Sequence, residues 1–157
     1  MKFSSRKNNK LKRLKRSAAT TSGEKWWKYY STNEVVAIDC EFVIKENAHR
    51  KFTNELATVA VCNFNGETIY EGMVKWIPFT LKVNPHTKKA NTFTEYSLVN
   101  GEQFESVREE VMEAIENKLI IVCGGEGDFR ALKLPLGDYD VHDIQTYFQS
   151  LGKPDIR

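Results

Sequence analysis

Val36-Ala37-Ile38-Asp39-Cys40-Glu41-Phe42-Val43 places two acids inside an otherwise apolar stretch. The β-branched and small residues of Val35-Val36-Ala37-Ile38 are too few for a helix and are followed by charge, which predicts a buried strand. Side chains alternate between the two faces of a strand, so Asp39 and Glu41, two residues apart, point to the same face. Two carboxylates side by side at the end of an apolar strand raise each other's proton affinity unless a cation or hydrogen-bond donors compensate them. A divalent metal ion is the functional answer to that repulsion, and a strand emerging into water is the structural one. The stretch alone leaves both open.

Downstream, Leu56 to Phe64 and Thr68 to Val74 read as two more strands. Asn65-Gly66 between them suits a tight type I′ hairpin, so an antiparallel three-strand start is expected. Residues 76–92 show no period and contain Pro78 and Pro85, the mark of a long loop, and such loops are often functional. Lys75, Lys82, Lys88 and Lys89 in and beside it are either solvated or in reach of phosphate. Phe104, Val107, Val111, Ala114 and Ile115 recur at helical spacing between Gly101 and Asn117, which predicts an amphipathic helix. Leu119 to Val122 reads as a buried strand. Gly124-Gly125-Glu126-Gly127, a short helix from Asp128 to Lys133, and a strand running into a helix over Val141 to Gln149 follow it. Strand, strand, strand, helix, strand, helix describes an α/β domain, a mixed sheet with helices packed on it.

The chain has 157 residues, 41% hydrophobic and 28% charged, enough for one domain with a real core. Its longest apolar runs, such as Leu119 to Cys123, are far too short for a membrane-spanning helix, so no membrane partner is expected. No apolar secretory core follows the basic N-terminus. Cys40, Cys62 and Cys123 are too few and scattered for a disulfide framework. Each sits in an apolar, strand-like run, which predicts small buried thiols in a reducing, intracellular compartment. The net charge of +2 conceals an asymmetry: the first 16 residues hold eight Lys and Arg and no acid, leaving the remainder at −6. Residues 1–25 are therefore expected to be a disordered basic tail and 26–157 the folded domain. Lys10 to Arg16 suits a nuclear or nucleolar address, an attraction to phosphate backbone, or a solubilising arm. Trp26, Trp27, Tyr29 and Tyr30 mark the domain entrance, either as a hydrophobic cover or as a base-stacking platform.

The segment from Val36 to Val43 closely resembles the first motif of the DEDD-type (DEDDh) 3′→5′ exonucleases, in particular their RNA exonuclease branch. Other segments resemble the family in order. Asn54 to Val61 is similar to its second strand, Asn65 to Tyr70 to the following hairpin, and Phe104 to Val111 to the helix before its second motif. Ile121-Val122 with Asp128-Phe129-x-Ala131-Leu132 resembles the second motif, and Val141 to Tyr147 the strand after it. The resemblance implies an RNase H-like fold and two Mg²⁺ (or Mn²⁺) ions held by four acids. It also implies a histidine general base and removal of nucleotides from the 3′ end of RNA or another single-stranded nucleic acid. By match, Asp39 and Glu41 are the first two ligands and Asp128 the third; these three are the catalytic and metal-binding candidates. Read without the family, Asp128 is an acid at the start of a helix after a Gly-rich turn.

The match is incomplete. No His-x-x-x-x-Asp spacing follows Asp128, so the family's third motif is missing and the domain reads as truncated at its C-terminus. His142 reads as an ordinary strand histidine, Asp143 matches a family acid that is not one of the four ligands, and His49 and His86 fall in loops. The turn Cys123 to Gly127 is one residue shorter than the family's and lacks its histidine. Two functions are therefore carried forward: a metal-dependent exonuclease, or a catalytically dead relative that binds RNA or a protein partner. Loss of the family's later helices would leave one sheet face bare, so a marginal, dimeric or partner-dependent fold is expected.

Overall fold

The computed structural model describes residues 13–15, 26–46, 52–78, 93–94 and 96–153. Among them, the apolar run at Val35 opens a twelve-residue strand, β1 (Val35–Glu46). It extends well past its apolar start because β2 (Phe52–Asn63) pairs with it antiparallel along nearly its whole length. β3 (Thr68–Met73) continues the antiparallel half. On its other edge β1 pairs parallel with β4 (Leu119–Val122), which pairs parallel with β5 (Asp140–Asp143). The sheet order is β3-β2-β1-β4-β5. Helix α1 (Phe104–Ala114) connects β3 to β4, α2 (Glu126–Ala131) connects β4 to β5, and α3 (Ile144–Ser150) follows β5. The expected antiparallel start and mixed α/β sheet are both present.

The core forms where the apolar stripe of α1 meets one sheet face. Val107, Val111 and Ile115 pack with Val36, Ile38 and Cys40 of β1, Val59 and Val61 of β2, and Ile120 and Val122 of β4. Complete burial of each such side chain contributes about 2 kcal/mol. Phe129 and Leu132 extend the same cluster to α2. A β-bulge at Ala57 of β2, opposite the Glu41–Phe42 step of β1, breaks the alternation of β2: Val61, Val59 and Leu56 face the main core with Val36, Ile38, Cys40 and Phe42 of β1, while Ala57 and Val43 face the other side. Val43, Ala57 and Leu98 thus form a separate small cluster beside Trp76, whose indole Nε1 donates to the Leu56 carbonyl at 2.9 Å.

Several expectations need correction. The β2–β3 connection is not a type I′ turn, which needs two residues with positive φ. Only Gly66 has one, at +82°. The Asn63 carbonyl accepts from Gly66 N–H at 3.0 Å, and the Asn63 side-chain Oδ1 accepts from the N–H groups of Asn65 and Glu67. A side chain that supplies acceptors to the turn makes a longer loop competitive with the two-residue one. The three cysteines also differ: Cys40 is buried, Cys62 half-buried and Cys123 exposed. Cys62 follows buried Val61 and faces the other side of β2, and Cys123 lies just past the end of β4. The short helix begins at Glu126, two residues earlier than the sequence suggests.

At the domain entrance, Tyr29 and Tyr30 are half-buried, and the Tyr30 hydroxyl donates to the Asp140 carboxylate. Arg13 of the basic arm donates to the Gly137 carbonyl at 2.8 Å. The remainder of residues 1–25, the Trp26 and Trp27 side chains, the loop segment 79–92 and residues 47–51 lie outside the described residues. Among the described residues no helix is long and apolar enough to cross a membrane.

Candidate active site

The site is set by a difference in strand length. β4 pairs with β1 only from Val35↔Leu119 to Ala37↔Ile121, whereas β1 continues to Glu46. Where β4 ends, the chain turns away through Cys123 to Gly125 and enters α2, leaving the β1 edge at Asp39-Cys40-Glu41 to be met by a side chain. That side chain is Asp128.

Asp128 is 7% exposed, and among the described residues no other charged or polar residue is buried. Its neighbours on α2 put it there. Phe129, Ala131 and Leu132 enter the core, Glu126, Gly127 and Arg130 stay in water, and a helix so anchored turns residue 128 inward. Phe129 is further held by the Tyr139 ring at 5.4 Å between centroids, and the Leu132 carbonyl accepts from Arg108 Nε at 3.1 Å. The Asp128 carboxylate accepts from both the backbone N–H and the thiol of Cys40. It thereby occupies the position on the β1 edge that a longer β4 would have filled.

Asp39 and Glu41 share a face of β1, as the two-residue period predicts. Their cross-strand partners are Ala60 and Thr58, small residues that leave space beside both acids. Asp39 is exposed and Glu41 half-buried. The three candidate acids act on one another. Burial lifts the Asp128 carboxyl from 3.8 to about 7; repulsion from Asp39 adds to this, the Cys40 N–H opposes it, and Asp143 and Glu41 raise it further. Burial first, then the charges of Asp128, Asp39 and Glu41, also push the Cys40 thiol far above its ordinary range.

The structure therefore brings Asp39, Glu41 and Asp128 into one electrostatic neighbourhood. Among the described residues, however, no three His, Cys, Asp or Glu side chains converge into a set able to hold an ion. The donor chemistry nevertheless suits one class of ligand. Anionic oxygen donors whose mutual repulsion is only partly offset by one backbone N–H match hard divalent cations such as Mg²⁺ or Mn²⁺. His142 sits half-buried on β5 with its ring 5.8 Å from that of Tyr147, in keeping with an ordinary strand histidine. His49 and His86 lie outside the described residues.

Asp143, which the sequence reading set aside, takes part in the local geometry. It is the N-cap of α3, its Oδ1 accepting from Gln145 N–H at 2.9 Å, and the same oxygen accepts from Gly124 N–H at 3.0 Å. An Asp immediately before a helical run is a capping signal that the sequence does carry. The bond to Gly124, nineteen residues away, is not legible there.

No family model matches the chain. Among curated mouse proteins, it is 26% identical to RNA exonuclease 4 over 152 residues, covering 93% of this chain and 34% of that protein. It is 26% identical to the interferon-stimulated gene 20 kDa protein over 113 residues, covering 72% and 36%. It is 28% identical to the interferon-stimulated 20 kDa exonuclease-like 2 over 100 residues, covering 64% and 26%. The chain thus spans about a third of the length of these relatives, or less. Its fold is similar to that of S. pombe Pop2p in an Mg²⁺- and Mn²⁺-bound form, with a TM-score of 0.60 at 12% identity over 98% of this chain and 76% of that one. It is also similar to the nuclease domain of 3′hExo, a DEDDh family member bound to rAMP, with a TM-score of 0.54 at 14% identity over 79% and 73%. The sheet flanked by helices is the RNase H-like exonuclease fold. In sequence the chain is thus similar to proteins named as RNA exonucleases, and in fold to a DEDDh nuclease domain.

Proposed function

We propose that the acidic β1 edge binds two divalent ions, Mg²⁺ or Mn²⁺, and that the protein removes nucleotides from the 3′ end of single-stranded RNA. The observation that carries this reading is the burial of Asp128 against the edge that presents Asp39 and Glu41. Asp39, Glu41 and Asp128 are the residues that would hold the ions, and what the ions supply is an activated water and a stabilised leaving oxygen. The chain's own contribution is placement. Asp39 and Glu41 are held on a rigid strand, while Asp128 is turned inward by Phe129 and Leu132 and oriented by two donors on Cys40. In the metal-free state Asp128 is half-protonated near neutral pH, so cation binding there releases a proton.

The basic run from Lys10 to Arg16 supports the choice of a phosphate polymer, since Lys and Arg neutralise phosphates without regard to sequence. It suits a nuclear or nucleolar address as well. A second reading is a module that binds RNA without cutting it, supported by the absence, among the described residues, of three acidic, histidine or cysteine side chains drawn into an ion-holding set. Incubation of 5′-labelled single-stranded RNA, and of matching DNA, with Mg²⁺ or Mn²⁺ separates the two. A one-nucleotide ladder that vanishes in Asp39→Ala supports the nuclease. Intact RNA with both proteins supports the binding module.

A further inference from the structure

We propose that Asp143 is a positioning residue, holding the Cys123–Gly125 turn against the start of α3 and so setting Asp128 on the β1 edge. The metal-binding part of this inference rests on the proposed function; the geometric part does not.

β5 lies beside β4 in parallel register, with Val122 opposite Asp143. The last residue of β5 therefore rises at the end of the sheet where the chain leaves β4. From there a single oxygen, Asp143 Oδ1, joins two elements, accepting from Gly124 N–H in the turn and Gln145 N–H in α3. The turn is seated closely. Gly124 has φ +71°, a conformation that strains any L side chain, and its Cα side faces the Gln145 amide of α3, whose Oε1 would lie 2.6 Å from a Cβ built there.

What the turn carries is the start of α2. Gly125 is its N-cap and offers no side chain to the orphan N–H groups, while its carbonyl accepts from Phe129 N–H at 3.1 Å. A six-residue helix has little stability of its own and takes its direction from what holds its ends. Phe129 and Leu132 hold the far end in the core, and Asp143 holds the near end through Gly124. Asp128 lies between these anchors, three residues after Gly125, so displacement of the turn moves its carboxylate relative to Cys40.

Three substitutions distinguish positioning from capping and from charge. Asp143→Asn keeps an oxygen able to reach both N–H groups but removes the charge. Asp143→Ser keeps a cap for Gln145 but is too short for Gly124. Asp143→Ala loses both. Amide hydrogen exchange in the metal-free full chain reads the geometry directly, because the Cys40 N–H is donated to Asp128. In the Ser and Ala proteins, protection at Gly124 and Cys40 is expected to fall at least ~10-fold, with Asn close to wild type and the Ser protein melting near the Asn protein. Mn²⁺ titration followed by electron paramagnetic resonance should show affinity falling about 10- to 100-fold in Ser and Ala and holding in Asn, the usual cost of losing a group that orients a ligand. If Asn behaves as Ala, the charge matters and the positioning role is overturned. Undiminished Cys40 protection in the Ser protein would reduce Asp143 to a helix cap and overturn it too. A wild-type chain that binds no Mn²⁺ sinks the metal reading alone, since the amide data still decide the role of Asp143.

Discussion

Replacing Asp128 by Asn removes a buried charge while keeping an oxygen that can accept from the Cys40 N–H. In the metal-free fold, burial first and Asp39 second lift this carboxyl from 3.8 to about 7. The folded value lies above the unfolded one, so folding favours the protonated form. Its contribution is fully present below about pH 4 and is lost as pH rises through 7. A displacement of roughly three units at about 1.4 kcal/mol each sets a ceiling of about 4 kcal/mol at pH 8 and above. Relaxation around the site and partial access of water bring the expected cost nearer 2 kcal/mol. Asp128→Asn should then exceed wild type by about 2 kcal/mol at pH 8, about 4–8 °C in Tm for a domain of this size, with the gain falling to roughly a quarter near pH 4.5 and vanishing below about pH 4. Circular-dichroism melts in EDTA between pH 4.5 and 8.5 measure this. Saturating Mn²⁺ should narrow or invert the difference, because wild type gains binding energy that Asn does not. An Asn protein no more stable than wild type at any pH would refute the argument that Asp128 is held buried against its neighbours' charge.

The other predictions test the supports of this arrangement. Phe129→Ala, at a position 1% exposed, should cost about 3–5 kcal/mol in urea unfolding and release α2 from the core. Gly66→Ala meets no atom within 4 Å but keeps a φ of +82°, so a loss of about 1 kcal/mol isolates the backbone cost of the loop. Deleting residues 1–16 removes eight basic residues and should weaken RNA binding and flatten its dependence on salt in anisotropy titrations. Unchanged binding would remove the arm from the mechanism.

Local periodicity made much of this fold legible. The spacing of Phe104, Val107, Val111 and Ile115 marked the apolar side of α1, and Val107, Val111 and Ile115 are fully buried. The apolar run at Val35 marked the start of β1, and the two-residue spacing of Asp39 and Glu41 put them on one face, because strand geometry alone imposes that. The bulge at Ala57 of β2 was not legible, since it arises from how β1 and β2 settle against each other. The hairpin was misread for a related reason: Asn63 lies outside the two-residue signal, yet its side chain supplies the acceptors that organise the turn.

The sequence by itself determined which residues alternate, which recur at helical spacing and which acids share a strand face, because these follow from covalent geometry over a few residues. It also carried, through the order of its motifs, the likeness to DEDDh exonucleases. Only the tertiary structure decided that β4 stops short of Asp39, that Asp128 fills the vacated edge as a buried acid, and that Asp143 reaches back to Gly124. Each of these depends on where separate elements end relative to one another. That is settled by packing across the sheet, and the same packing supplies the desolvation that changes the chemistry of Asp128.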